Sequence, residues 1–250
     1  EKDLTTGSVT KTMLKFAGPM ILGNLLQQCY NIADTLIVGR FLGKDALAAV
    51  GSAYTLMTFL TSILIGLCMG SGAILSMYYG KKEASQMKKS MLASFLFIAA
   101  AAVLLSVLAF ALIHPILHLL QVPESIYGLM HEYVWVIFWG IGFVFLYNYF
   151  AFLLRAMGNS LTPLCFLGIS AAMNFALDLL FVIGFGMGAG GAALATVLSQ
   201  AVSGIGIGVY AWIREPDLRP GRSEIAVDRR TVTEVGRHSL AACVQQSVRN

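Results

Sequence analysis

Met91–Ile113 reads MLASFLFIAAAAVLLSVLAFALI, 23 residues without a charged side chain. A helix needs about 20 mainly apolar residues to cross a hydrocarbon core of roughly 30 Å, so this stretch is long enough to span a membrane once. Lys81, Lys82, Lys88 and Lys89 precede it, and His114-Pro115 follow it. Working outward in both directions, comparable apolar stretches lie near Met13–Val38, Leu47–Tyr79, Tyr133–Leu154, Leu161–Phe185 and Gly191–Ile213. Six spans are therefore predicted. None shows the period-two alternation of a membrane β-strand. Their backbone hydrogen bonds must close within each segment, as helices. The predicted class is an all-α polytopic membrane protein.

Composition agrees. Hydrophobic residues make up 57% of the 250 and charged residues 12%, about half the charged share of ordinary globular domains. No cleavable signal peptide is evident, because Pro19, Asn24, Gln27, Gln28 and Asp34 interrupt a first apolar stretch that is too long for one. Cys29, Cys68, Cys165 and Cys243 lack paired CxxC spacing and read as small core residues, with no disulfide or metal role. The net charge of +4 would suggest nucleic acid in a soluble protein. Here its placement explains it. With a cytoplasmic N-terminus, fourteen lysines and arginines fall on inside segments and only Arg40 and Lys44 fall outside. That is a positive-inside pattern, so no nucleic-acid partner is expected, and the bilayer itself is the first partner. The outside connections are predicted at 39–46, 114–132 and 184–190, the last a glycine-rich turn.

The chain divides by hydrophilicity. Residues 1–213 form a six-helix transmembrane lobe, and 214–234, with Pro216, Pro220, Gly221 and mixed charges, reads as a cytoplasmic linker. Residues 235–250 read as the start of a seventh helix that stops short of crossing, so the chain is expected to be a piece of a longer one. That segment echoes the first: Gly236 and Gln245-Gln246 each lie 218 residues after Gly18 and Gln27-Gln28. A duplication after an even number of spans gives two halves in the same orientation, a pattern found in secondary transporters.

Two acidic residues sit where water is absent, Asp34 in the first span and Asp178 in the fifth. An ionisable residue near the bilayer centre costs on the order of 2.5–3.5 kcal/mol on the insertion scale, and no span supplies a basic partner. Gln27, Tyr30 and Asp34 share one helix face by their three- and four-residue spacing, as do Asn174 and Asp178. The two stripes bring carboxylate, amide and hydroxyl oxygens to one interior, which suits H⁺ or Na⁺ as the coupling ion. Both aspartates could instead be neutral helix-packing groups. Pro19 should kink the first helix ahead of Asp34 and act as a hinge, unless it is simply a tolerated membrane proline. Tyr147, Tyr149, Phe150 and Phe152 read as lipid-facing or core residues. No cofactor is expected and no His or Cys cluster points to a transition metal.

The motifs carry a resemblance. Pro19…Gln27-Gln28-x-Tyr30-Asn31-x-x-Asp34-x-x-x-Val38-Gly39, then Arg155-Ala156-x-Gly158 with Pro163, Asn174-x-x-x-Asp178, and Gly191-Ala192-Ala193-x-Ala195-Thr196-x-x-Ser199-Gln200 follow in order. Together they resemble the multidrug and toxic compound extrusion (MATE) family. The resemblance implies a twelve-helix antiporter of two six-helix lobes around a V-shaped central cavity. It would sit in a bacterial inner membrane and export cationic or amphipathic organic compounds in exchange for H⁺ or Na⁺. It further implies a coupling-ion site at Asp34, Asn174, Asp178 and Thr196, where Na⁺ is the one metal to consider, with Gln27, Tyr30, Tyr133 and Asn148 around it. The bend of the first helix would fall at Pro19, and a second lobe would follow Asn250. A polar position that some members carry one turn after Asn148 is Ala151 here. Two rivals remain. A lipid-linked precursor flippase would use buried arginines to meet pyrophosphate, and an intramembrane enzyme could use an aspartate pair. The membrane interior holds acids and no buried basic residue except Arg155 at a helix end, and the companions expected of an enzyme, such as a metal-binding His pair or a Ser-His arrangement, are missing.

Overall fold

The long apolar segments fold as helices, because inside a bilayer only a helix or a closed barrel satisfies every backbone amide and carbonyl. The computed structural model describes the backbone of residues 9–215, 218 and 229–249, and the side chains of 17–215, 218 and 231–245. In chain order the helices are α1 (Val9–Phe41), α2 (Lys44–Gly80), α3 (Ala84–Ala111), α4 (Ile113–Leu119) and α5 (Glu124–Phe138). After them come α6 (Ile141–Ala156), α7 (Leu161–Asp178) with a π-helical continuation (Leu179–Gly184), α8 (Gly188–Arg214) and α9 (Arg229–Arg249). There is no strand among the described residues.

Among the described residues, four elements are long and apolar enough to cross a membrane: α2, α3, α7 with its π continuation, and α8. α5 and α6 together make a fifth, bent by 46° at their junction. α1 has the length, at 33 residues, but its polar stripe keeps it outside that set. The fourth predicted span, Tyr133–Leu154, is therefore a broken helix that begins nine residues earlier, at Glu124. At the break, the Trp139 and Gly140 amides bond back three residues, to Val136 and Ile137, where an α-helix would bond back four.

The connections are tighter than predicted. Residues 39–46 shrink to Leu42-Gly43, with Gly43 at φ 87°, a left-handed conformation that glycine adopts without strain. The 114–132 connection is partly helical, containing α4 and the first turns of α5. The glycine turn is as expected: Gly186 and Gly188 adopt φ 63° and 65°. α1 is continuous through Pro19. Cys68 is buried, whereas Cys29 and Cys165 are exposed on the lobe surface, so two of the four cysteines are not core. All four are free thiols.

α9 begins at Arg229, inside the stretch read as linker. Its first turns are polar, so tertiary contacts hold them. Thr231 is buried and accepts a bond from Gln86 Nε2 at 3.2 Å. The Tyr78 hydroxyl donates to Glu234, 3.0 Å from Oε2. Residues 216, 217 and 219–228 of the linker lie outside the described residues. Beyond that collar α9 seats on α2 along a seam of small residues. A methyl group added at Gly66 would fall 2.5 Å from Cys243 Cα, and one at Gly70 would fall 2.5 Å from the His238 carbonyl oxygen. Two helices with small residues four apart approach this closely because no side chain holds them off.

The seam yields a direct test. Gly70→Leu should push α9 from α2 and cost about 1–3 kcal/mol through overpacking, read as a lower midpoint in detergent thermal unfolding. Gly51→Ala on the same helix should match or exceed the parent, since nothing lies within 4 Å of a methyl group there.

Candidate functional site

α1, α7 and α8 meet around the two aspartates, and the neighbouring polar groups follow a definite order. Thr196, on α8, is the hub: its Oγ1 lies 3.3 Å from the Tyr30 hydroxyl of α1. With the Asn174 amide oriented to satisfy both of its ends, Nδ2 donates to Asp178 Oδ2 at 2.9 Å. Its carbonyl oxygen then accepts from the Thr196 amide and hydroxyl, both at 3.2 Å. The network thus runs Tyr30, Thr196, Asn174, Asp178 across three helices. Asn174 and Asp178 are 1% and 0% exposed, so one face of this carboxylate is closed from solvent.

The Asp34 and Asp178 carboxyl groups lie within direct interaction range of each other. Two carboxyl oxygens at such range need a proton or a cation between them, since both are acceptors when ionised. Asp34 Oδ1 and Asp178 Oδ1 are buried and have no hydrogen-bond partner among the described residues. Buried polar atoms are almost always paired. These two free oxygens are therefore where the arrangement can take a small hard cation or a proton. Tyr133, from α5, is buried beside them, within electrostatic reach of Asp34, Tyr30 and Asp178.

Of the eight polar positions named from the sequence, six converge: Tyr30, Asp34, Tyr133, Asn174, Asp178 and Thr196. Gln27 does not join them. It shares the rotational stripe of Asp34 but lies two turns away, roughly 10 Å along the axis at 1.5 Å per residue, and it is exposed. Asn148 does not either; its Nδ2 donates to the Val144 carbonyl of its own helix at 2.9 Å. Ala151 is buried and adds no polar atom. Tyr149 is core, donating to the Met91 carbonyl at 2.7 Å and meeting Ser94 Oγ at 2.9 Å.

Two backbone features around the site were not foreseen. Immediately after Asp178 the helix widens into π geometry through Gly184, marked by the Phe185 amide bonding back five residues to Leu180 at 2.9 Å. Single π turns inside α-helices often occur at functional sites. The other is the α5–α6 break; its only sequence signals are Gly140 and Gly142, which resemble many membrane glycines. α8 is tied to α7 one turn beyond the hub by Ser170 Oγ donating to the Ser199 carbonyl at 3.0 Å.

Comparison with known proteins identifies the family. A family model described as MatE matches residues 19–180. The chain is 35% identical over 201 residues to the "Probable multidrug resistance protein YpnP" of Bacillus subtilis strain 168, covering 80% of this chain and 45% of that protein. It is 33% identical over 216 residues to "Probable multidrug resistance protein YoeA" of the same strain, covering 85% and 47%. The chain thus spans about half the length of the curated relatives it matches. Among solved structures it overlays on an outward-facing multidrug resistance MATE family transporter of the MOP superfamily, with a TM-score of 0.89 at 22% identity. That match covers 96% of this chain and 53% of the other, a likeness of fold. With more than half of its length matched by the family model, this chain belongs to the MatE family.

Proposed function

We propose that this chain is the cation-coupling lobe of a secondary antiporter that exports cationic or amphipathic organic compounds from a bacterial cytoplasm across the inner membrane. The counter-ion is H⁺ or Na⁺, bound between Asp34 and Asp178. The observation that carries the reading is the pair of buried carboxyl groups, each with an unpartnered oxygen, inside a helix bundle. Ionisable groups so placed are costly and mark ion or proton pathways.

The site's chemistry supports exchange in preference to permanent binding. Tyr30, Thr196 and Asn174 present a fixed cradle of oxygens and one N–H, while the carboxyl pair is free to change partners. The exposed side of α1 carries Gln27 and leads away from this cradle, which suits a small ion and a larger organic compound using adjoining spaces. Two acids in the bundle interior favour cationic cargo electrostatically, and they offer a pyrophosphate-linked lipid no positive charge. Two relatives are described as probable multidrug resistance proteins, which supports export of organic compounds.

The test is transport by the complete protein in liposomes with Na⁺ and pH gradients imposed in turn. Asp34→Asn and Asp178→Asn should each abolish gradient-driven ethidium movement. Transport at the parental rate in both variants would overturn the reading. The effective gradient identifies the ion.

Thr196→Val keeps the shape of the hub but removes both hydroxyl contacts. Loss of buried hydrogen bonds costs about 1–3 kcal/mol, so the cation concentration at half-maximal transport should rise about tenfold. Thr196→Ser should stay near the parent. The cation dependence of initial rates measures both.

A further inference from the structure

The 46° break between α5 and α6 contains no proline, which leaves the glycine at the break and what packs against it to set the bend. That neighbour is α8. Gln200, Gly204 and Gly208 are spaced four apart and share one face. A methyl group at Gly204 would lie 2.6 Å from the Phe143 carbonyl oxygen, and one at Gly208 would lie 3.0 Å from the Phe150 ring. α6 therefore lies directly against the α8 backbone. One turn earlier the stripe changes character. Gln200 Oε1 occupies the notch left by Gly140, 2.6 Å from where a Cβ would stand, with Val197 Cγ2 at 3.3 Å. Two glycines draw α6 in, and a long side chain fills the joint.

Gln200 also lies one turn from Thr196, the hub of the carboxylate network, and Tyr133 lies seven residues before Gly140 on α5. We propose that Gln200 is a positioning residue: by wedging into the Gly140 notch it sets the α5–α6 angle, aims Tyr133 at the Asp34–Asp178 pair, and ties occupancy of that pair to movement at the joint. This rests on the cation-exchange reading above. The wedge acts through its bulk, since its side chain makes no hydrogen bond to the bend. When the cation changes partners around Thr196, a shift of α8 along its axis moves Gln200 within the notch, and the angle changes with it.

The experiment uses the complete transporter in liposomes, with single and paired substitutions. Gln200→Ala should lower turnover about tenfold while half-maximal cation concentration moves less than about threefold, a kcat effect without a KM effect. Gln200→Met, which keeps the bulk, should restore turnover. Gly140→Ala should also be impaired, because its methyl group collides with Gln200. The pair Gly140→Ala with Gln200→Ala should be more active than Gly140→Ala alone, since the new methyl group fills the vacated notch; this non-additivity is the signature of direct contact. Additive losses, or parental turnover in Gln200→Ala, would overturn the proposal. Spin labels at Ser125 on α5 and Ala156 at the end of α6 report the α5–α6 angle without any transport. A wider distance distribution in Gln200→Ala supports the wedge even if the aspartate variants refute cation exchange, and an unchanged distribution counts against it.

Discussion

Two carboxyl groups held inside an apolar helix bundle are the constraint that the lobe is arranged around. Left alone, each would destabilise its own span by a few kcal/mol. The arrangement offsets that cost unevenly. Asp178 is fully enclosed and takes an amide hydrogen bond from Asn174, whereas Asp34 meets mainly its carboxyl partner. Because Thr196 is shared between Tyr30 and Asn174, α1, α7 and α8 cannot separate without breaking the polar network. Shape-based packing then completes the lobe: Phe95, Phe145, Tyr149 and Phe150 form a continuous aromatic cluster, with ring centroids 5.2–6.1 Å from Phe95.

Close backbone approach is the second organising force. In hydrocarbon, helices gain no hydrophobic driving force from meeting one another, so dispersion and small residues decide where they touch. α8 meets α6 through Gly204 and Gly208, and α2 meets α9 through Gly66 and Gly70. α2 therefore serves two neighbours. Its inner residues line the lobe core, and its glycine face receives α9.

Much of this was legible in the residues. Most of the spans announce themselves through uninterrupted apolar length, and Asp34 and Asp178 stand out because no other acidic residue lies in the predicted spans. The three- and four-residue spacing correctly put Tyr30 with Asp34 and Asn174 with Asp178. Rotational phase alone, however, cannot show how far along the axis a side chain sits, which is why Gln27 was grouped with a cluster it does not reach. Asn148 shows a related limit: an amide on the right helix can satisfy itself on its own backbone. The α5–α6 break and the early start of α9 were hidden for a common reason. Both depend on contacts distant in sequence, Gly140 with Gln200 and Glu234 with Tyr78, and local composition carries no trace of either.

The π-helical turn after Asp178 has a consequence for how such a lobe can change over evolutionary time. A π turn accommodates one more residue than the α-helical path it replaces, so Leu179–Gly184 can be viewed as an α-helix that has absorbed an insertion. The surplus residue is confined between a carboxylate that must keep its rotational setting and a glycine turn, Gly184–Gly188, that tolerates almost any approach. The helix upstream of Asp178 is thereby insulated from length changes downstream. Loops on that side of the lobe are free to grow or shrink by single residues while the carboxylate keeps its aim.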